Sequence, residues 1–291
     1  MIKKICSLLL LLLLCTKGEG AEKLSVFVSI LPQKYFAEQI GGDRVTVSVL
    51  VEKGRDPHTF EPLPGQMAGL ARAQGYFSIG LPFEKSLLPR ISKLNPSMKI
   101  FAVDESVDKI FPSSDHEEEN HSEKEHHHDS GADPHVWNSP AEAEVIARNM
   151  RDALIELDPS GKDEYLQAFE ALSFRLKSLD EELKALFSDR KGASFLVFHP
   201  GWAYLARTYG LRGVAIEVDG KEPKASDIAK IIEEARENNV KVIFISPQFS
   251  KKSASVIAEA VGAAVKEANP LAEEWEKNLR AVASAIAESA K

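Results

Sequence analysis

The sequence predicts an α/β fold, made of two α/β lobes with mainly parallel sheets. Two observations carry this prediction: short apolar runs rich in β-branched residues recur along the chain, and stretches with helical spacing separate them. The runs are LSVFVSI, RVTVSVLV, YFSIG and KIFAV in the first half, and SFLVFH, VAIEV, KVIFIS and GAAV in the second. Because strands that alternate with helices form parallel sheets, each half is expected to form one lobe.

A long amphipathic helix is predicted between the two halves. Asp158 is placed as its N-cap and Pro159 at its first helical position. Its apolar positions step by three and four along one face: Tyr165, Phe169, Leu172, Leu176, Leu179, Leu183 and Leu186. At 1.5 Å per residue such a helix is about 40 Å long. The pattern fits an ordinary core helix as well as a rigid helix that joins the lobes.

The predicted organisation therefore has four parts. They are a signal peptide at 1–20, an N-terminal lobe at 21–157, a linking helix at 158–188 and a C-terminal lobe at 189–291. Within the N-terminal lobe, residues 113–131 read SSDHEEENHSEKEHHHDSG and contain no apolar residue. Such a segment cannot join a packed core, so we expect a flexible surface loop.

The first residues have the layout of a secretory signal peptide. Lys3 and Lys4 precede an unbroken Leu8–Leu14 run, which is too short to span a bilayer and is followed by small and polar residues. We predict cleavage near Gly20 and a periplasmic or other extracytoplasmic location. Leu14 occupies a position that usually holds a small residue in lipoprotein signals, so the sequence favours a soluble chain over a lipid anchor at Cys15.

The composition narrows the function further. Both cysteines, Cys6 and Cys15, lie in the predicted signal, so the exported chain is expected to have no thiolate metal site. The net charge of −8 argues against nucleic acid and anionic membranes as partners, and it favours cations. No later segment is apolar enough for a transmembrane helix, so we do not expect the chain to transport a solute alone.

The eight histidines fall into two groups. Five of them lie in the acidic loop: His116, His121, His126, His127 and His128. The other three each follow a predicted strand: His58 in DPHTFEP, His135 in DPHVWNSP and His199 at the end of SFLVFH. Since open α/β sheets bind ligands at the carboxyl ends of their strands, two facing lobes would bring these three together.

The repeated Asp-Pro-His motif favours metal binding over an ordinary loop. Proline stiffens the backbone before each histidine, and an aromatic residue two positions later, Phe60 or Trp137, is placed to shield the site. Three neutral imidazoles and one oxygen form a standard tetrahedral set for Zn²⁺. Each histidine alone also fits a loop or capping role, and the combination of all three carries the prediction.

With these motifs in place, the chain resembles the periplasmic zinc-binding proteins of ATP-driven (ABC-type) importers, a family that also includes manganese-binding proteins and lipoprotein adhesins. The resemblance covers nearly the whole exported chain and includes DPHTFEP, DPHVWNSP, FHPGWAYLARTYGL, VIFISPQFSKKSASVIAEAVG and NPLAEEWEKNL. It implies two α/β lobes bridged by one long helix, and metal ligands at His58, His135 and His199. Manganese-binding members typically carry a carboxylate at the third position, so His199 favours zinc.

Two departures leave the fourth ligand open. Many relatives carry Asp where this chain has Asn269, and glutamate is common at the position of Ser246. An amide oxygen is a poorer zinc ligand than a carboxylate, so we expect water or a carboxylate in the fourth place. The sequence offers three candidate carboxylates: Glu61, Glu217 and Glu222.

The resemblance also gives the acidic loop two interpretations. It is either a solvated linker or an accessory site that binds further Zn²⁺ weakly, because flexible ligands lose conformational entropy on ordering. Loops of this type recur at this position in zinc-binding members of the family. We take the accessory site as the hypothesis.

The function predicted from the sequence is capture of Zn²⁺ outside the cytoplasm and its delivery to an ABC-type membrane permease, by a monomer that takes no small organic substrate. Because a ligating histidine must be neutral, affinity is expected to fall as the pH drops through about 6.5. The alternatives are a metal-binding surface adhesin on the same fold and a zinc hydrolase. The sequence contains no HExxH or Gly-x-Ser-x-Gly motif, so an enzyme is not predicted.

Overall fold

The N-terminal half forms a four-stranded parallel sheet in a computed structural model that describes residues 23–111, 131–217, 223–248 and 251–289. Its strands, β1 (Leu24–Ile30), β2 (Val45–Val51), β3 (Gly75–Ser78) and β4 (Lys99–Ala102), lie in the order β2-β1-β3-β4. The helices of this half are α1 (Leu31–Gly41), α2 (Pro64–Leu70), α3 (Pro82–Leu94) and α4 (Pro140–Leu157). Strand β1 is buried over nearly its whole length, as expected for a parallel sheet covered on both faces.

The C-terminal half repeats this arrangement. Its strands, β5 (Ser194–Val197), β6 (Arg212–Ala215), β7 (Val242–Ile245) and β8 (Ala264–Glu267), are also parallel and lie in the order β6-β5-β7-β8. Its helices are α6 (Ala203–Tyr209), α7 (Ala225–Glu237), α8 (Lys252–Val261) and α9 (Trp275–Ser289). In each sheet the strand order reverses direction between the two central strands, which are β1 and β3 in the first half and β5 and β7 in the second. Ligands bind outside the carboxyl ends of strands at such a point.

Helix α5 (Lys162–Phe187) bridges the two halves, which confirms the bridging interpretation of the long amphipathic pattern. It packs against α1 and α4 of the first half and against α6 and α9 of the second. Of the predicted apolar stripe, all positions but the last are buried, and Phe187 is buried in place of Leu186.

The start of the bridging helix differs from the prediction. Asp158 and Pro159 precede it in a 3₁₀ turn at Pro159–Gly161, so Asp158 does not cap α5. The Asp158 carboxylate instead accepts hydrogen bonds from Arg44 and Tyr165, at 2.8 Å each. Asp158 therefore binds Arg44, a residue distant in sequence, instead of capping the helix that follows it.

Two buried tryptophans join the lobes. The indole Nε1 of Trp137 donates to the Pro270 carbonyl at 2.6 Å, and that of Trp275 donates to the Trp137 carbonyl at 2.8 Å. Both rings belong to a hydrophobic core that runs through both lobes, whereas a second core lies under α7 and α8. Because buried hydrogen bonds fix orientation as well as position, these contacts oppose a wide hinge opening. Among the described residues, none of the helices combines the length and apolar character that crossing a bilayer requires.

Candidate metal centre

His58 lies just after β2, in a turn that the Asp-Pro-His motif builds. Residues Pro57–Thr59 form a 3₁₀ turn, and the Asp56 carboxylate caps it by accepting from the His58 amide at 2.9 Å. Proline at the first position of this turn needs no amide donor. His58 is the most exposed of the three histidines.

His135 is held by the second copy of the motif, in the connection between β4 and α4. Asp133 accepts from the His135 amide at 2.9 Å, and the same oxygen lies 2.7 Å from His135 Nδ1. His135 is 5% exposed. The Trp137 ring lies 5.3 Å from the His135 ring, centroid to centroid, and shields it as the motif predicts. Phe60, the corresponding aromatic of the first motif, packs against Phe83 instead.

His199 comes from the other lobe, two residues beyond the end of β5. Its Nδ1 lies 2.8 Å from Oε1 of Glu217, which follows the neighbouring strand β6. Both side chains are less than a tenth exposed, at 9% and 7%. The pairing of β5 with β6 brings these two residues to the same edge of the sheet.

The three imidazoles converge on one point between the lobes. Nε2 of His199 lies 3.1 Å from Nε2 of His58 and 3.0 Å from Nε2 of His135, and one ligand atom from each histidine lies within 4.8 Å of the other two. Since Asp133 and Glu217 accept the Nδ1 protons of His135 and His199, the Nε2 atoms of these two rings carry lone pairs. Lone pairs that face each other at this distance repel unless a cation lies between them.

This geometry fits Zn²⁺. With zinc–nitrogen bonds of about 2.0–2.1 Å, tetrahedral coordination sets the nitrogen atoms about 3.3 Å apart. The two Nε2 separations that involve His199 fall within a few tenths of an ångström of that value, and the separation between His58 and His135 lies within 4.8 Å. Carboxylates that hold the far nitrogen of a ligating histidine are the usual outer support of zinc sites.

The surroundings also keep the most exposed histidine neutral. Burial of its ring, followed by the proximity of His199 and His135, lowers the pKa of His58 from 6.5 to about 4. A neutral imidazole is the form that binds a metal ion. At neutral pH the His58 imidazole is therefore uncharged and able to bind a metal ion.

Of the three carboxylates considered for the fourth position, the structure describes two, Glu61 and Glu217, and neither belongs to the histidine cluster. Glu217 is engaged with Nδ1 of His199, on the far side of that ring from the cluster, and is therefore not in position to be the fourth ligand. Glu61 is exposed and is not part of the cluster, and Glu222 lies outside the described residues.

The two positions where relatives carry carboxylates, Asn269 and Ser246, hold side chains that are already hydrogen-bonded. Asn269 Oδ1 accepts from the Leu271 amide at 3.0 Å, and the Ser246 hydroxyl donates to the Ala268 carbonyl at 3.2 Å. The Ser246 hydroxyl is thus bound to backbone, and Oδ1 of Asn269 is shared between a backbone amide and the side chain of Gln248.

Sequence reasoning missed the supporting roles of Asp133 and Glu217. The role of Asp133 could have been predicted from the sequence, because an aspartate stands two residues before the histidine in both copies of the motif. The role of Glu217 could not have been predicted, since it depends on the pairing of β5 with β6. The five loop histidines, His116, His121, His126, His127 and His128, lie outside the described residues, as does the predicted signal peptide at 1–20.

Known proteins share both the sequence and the architecture. The family described as "ZnuA: Zinc-uptake complex component A periplasmic" matches residues 26–289. The zinc-binding lipoprotein AdcA of Streptococcus pneumoniae (strain ATCC BAA-255 / R6) is 29% identical over 290 residues, which cover 96% of this chain and 57% of AdcA. The chain thus spans little more than half the length of that relative.

Two solved structures are similar over nearly the whole chain. A crystal structure of ZnuA has 39% sequence identity and a TM-score of 0.84, and the match covers 93% of this chain and all of that one. The laminin-binding protein Lmb of Streptococcus agalactiae has 25% identity, a TM-score of 0.79 and the same coverage, and is described as a bifunctional protein with adhesin and metal transporting activity. On the strength of the family match over 26–289, this chain belongs to the family of periplasmic component A of zinc-uptake complexes.

Proposed function

We propose that this chain captures Zn²⁺ outside the cytoplasm with His58, His135 and His199 and delivers it to an ABC-type membrane importer. The observation that carries the proposal is the convergence of three Nε2 atoms in one cleft, two of them aimed by carboxylates on the opposite ring nitrogen. In reversible capture, these imidazoles replace most of the hydration shell of the ion.

The donor set favours zinc over harder cations. Manganese and magnesium prefer carboxylate and water oxygens, whereas imidazole nitrogen suits zinc. Asp133 and Glu217 are turned to ring nitrogens rather than to the centre, and the Asp56 carboxylate accepts from the His58 amide and the Thr59 hydroxyl. The donor set also suits Co²⁺ and Ni²⁺, so selectivity among these ions rests on tetrahedral geometry.

Delivery to a membrane partner is supported by the family, whose description makes the protein one component of an uptake complex. The predicted signal peptide supports a place outside the cytoplasm, as does the lipoprotein name of AdcA. The proposed form is a monomer that docks on the permease and releases zinc there. A binding role without catalysis agrees with this transport assignment.

The experiment combines metal analysis with uptake. The chain purified without affinity tags and loaded with zinc is expected to hold one tightly bound ion, and His135→Ala is expected to lose it. In cells deprived of zinc by a chelator, deletion of the chain should abolish growth, and the wild-type chain should restore growth where His135→Ala does not. Equal restoration by both would overturn the proposal.

An adhesin role is a second candidate, because Lmb combines adhesion with metal transport on this architecture. It predicts saturable binding of the purified chain to immobilised laminin. Binding no stronger than to serum albumin would remove it, with no consequence for the zinc proposal.

A further inference from the structure

Gln248 lines the cleft, and neither the Asp-Pro-His motifs nor the histidine cluster explains its place there. It follows β7, the strand that pairs with β5, so it stands at the carboxyl edge of the sheet beside His199. It lines the same pocket as His58, His135 and His199. This is the edge where the chain reverses its winding direction, the usual ligand position in such sheets.

The orientation of the Gln248 amide is fixed by its neighbours. The Leu271 amide donates to Oδ1 of Asn269 at 3.0 Å, and a backbone N–H can face only an oxygen. Oδ1 of Asn269 also accepts from Nε2 of Gln248, at 3.2 Å. Because Asn269 presents an oxygen, Gln248 must present its nitrogen there. Its Oε1 is therefore turned the other way.

That oxygen is buried and unsatisfied. Oε1 of Gln248 is shielded from solvent, and no donor reaches it from the rest of the described chain. A buried amide oxygen without a partner destabilises the fold, because it has lost its hydrogen bonds to water. Because Gln248 lines the same pocket as the three histidines, a cation bound there is a candidate partner for this oxygen.

We infer that Gln248 supplies the fourth ligand, through Oε1, to the zinc ion held by the three histidines. The inference rests on the proposed zinc site and completes it: three nitrogen atoms and one oxygen make the tetrahedral set. Asn269 is then a positioning residue, which acts through Gln248.

A neutral fourth ligand has a functional consequence. A carboxylate adds a full negative charge to the first shell, whereas an amide adds only a dipole and leaves the net charge of the ion and its ligands at +2. The ion is bound less tightly than with a carboxylate, and it leaves more readily when the permease docks. The charges of Asp133 and Glu217 remain outside the first shell, on the ring nitrogens.

The test compares Gln248→Leu, which keeps the volume and removes the oxygen, with the wild-type chain. Gln167→Leu, at an exposed site on α5, is the matched control. Zinc affinity is measured by competition with a chromophoric chelator, and the first shell is followed by the visible spectrum of Co²⁺ bound in place of zinc. We expect Gln248→Leu to lower the affinity about tenfold or more and to shift the cobalt bands, and the control to change neither.

Affinity within twofold of the wild type, with a superimposable cobalt spectrum, would overturn the inference. If Gln248→Leu fails to fold, the side-chain amide signals of the ¹⁵N-labelled wild-type chain decide: zinc should shift the Gln248 signal, and an unmoved signal contradicts ligation. A wild-type chain that binds no zinc would overturn the proposed function itself, which is a separate outcome.

Discussion

Oε1 of Glu217 lies 2.8 Å from Nδ1 of His199, although the two residues follow different strands. This contact fixes which nitrogen of His199 carries the proton, and so it turns the lone pair of Nε2 toward His58 and His135. The candidate metal centre is thus oriented in part by a residue on the far side of the His199 ring.

The first prediction concerns this support. Glu217→Ala should lower zinc affinity about 10- to 100-fold, because His199 loses the partner that orients its ring. Glu217→Gln keeps an oxygen that accepts from Nδ1, so its loss should be smaller. Chelator competition measures both, with Glu181→Gln, an exposed carboxylate on α5, as the control. Equal affinity of Glu217→Ala and the control would contradict the supporting role.

The second prediction concerns protonation. With its pKa lowered to about 4, His58 in the zinc-free chain should remain neutral at pH 5.5. NMR titration of its ring signal, identified by comparison with His58→Ala, measures this directly. A midpoint near 6.5, the ordinary value for histidine, would contradict the buried environment.

The same pKa shift links pH to stability. The unfolded chain takes up this proton near pH 6.5, whereas the folded chain takes it up only near pH 4. The zinc-free chain should therefore lose stability as the pH falls between these values, and zinc ligation by His58 should fail as the pH falls through about 4. Chemical denaturation at pH 7 and pH 5 tests the first statement.

The third prediction concerns the acidic loop. Deleting residues 115–129 should lower the number of zinc ions bound per chain and leave the tight site intact, because the loop histidines are expected to act as separate, weak ligands. Calorimetric titration should then show only the tight phase. Loss of the tight phase would show that the loop belongs to the main site, and an unchanged stoichiometry would remove its proposed role.

The fourth prediction concerns the joint between the lobes. Trp137→Phe removes the donor to the Pro270 carbonyl and leaves a buried acceptor unpaired, so it should cost about 2–4 kcal/mol of unfolding free energy. Denaturant unfolding measures the loss. Trp202→Phe, a buried indole that makes no hydrogen bond within the described residues, isolates the cost of the smaller ring and should cost less.

The sequence predicted most of the fold, because parallel strands and an amphipathic helix are marked by local apolar patterns. The bridging role of α5 needed the family resemblance, since a buried stripe does not say which elements cover it. Both Asp-Pro-His motifs marked their histidines through local stiffness. The ligation by these residues remains a prediction.

The parts that escaped the sequence depend on contacts between distant residues. Glu217 was considered as a ligand, yet strand pairing places it behind His199. Gln248 carried no signal of its own, because its orientation depends on Asn269, which the family comparison marked only as a missing carboxylate. The distance between two residues along the sequence does not reveal which nitrogen of the His199 ring Glu217 contacts.

The most direct test of the central claim is calorimetric titration of zinc into the wild-type chain beside His58→Ala, His135→Ala and His199→Ala. Each substitution removes one of three converging nitrogen donors, so each should abolish the tight phase or weaken it at least about 100-fold, while circular dichroism shows an unchanged fold. Retention of tight zinc binding by all three variants would contradict the account.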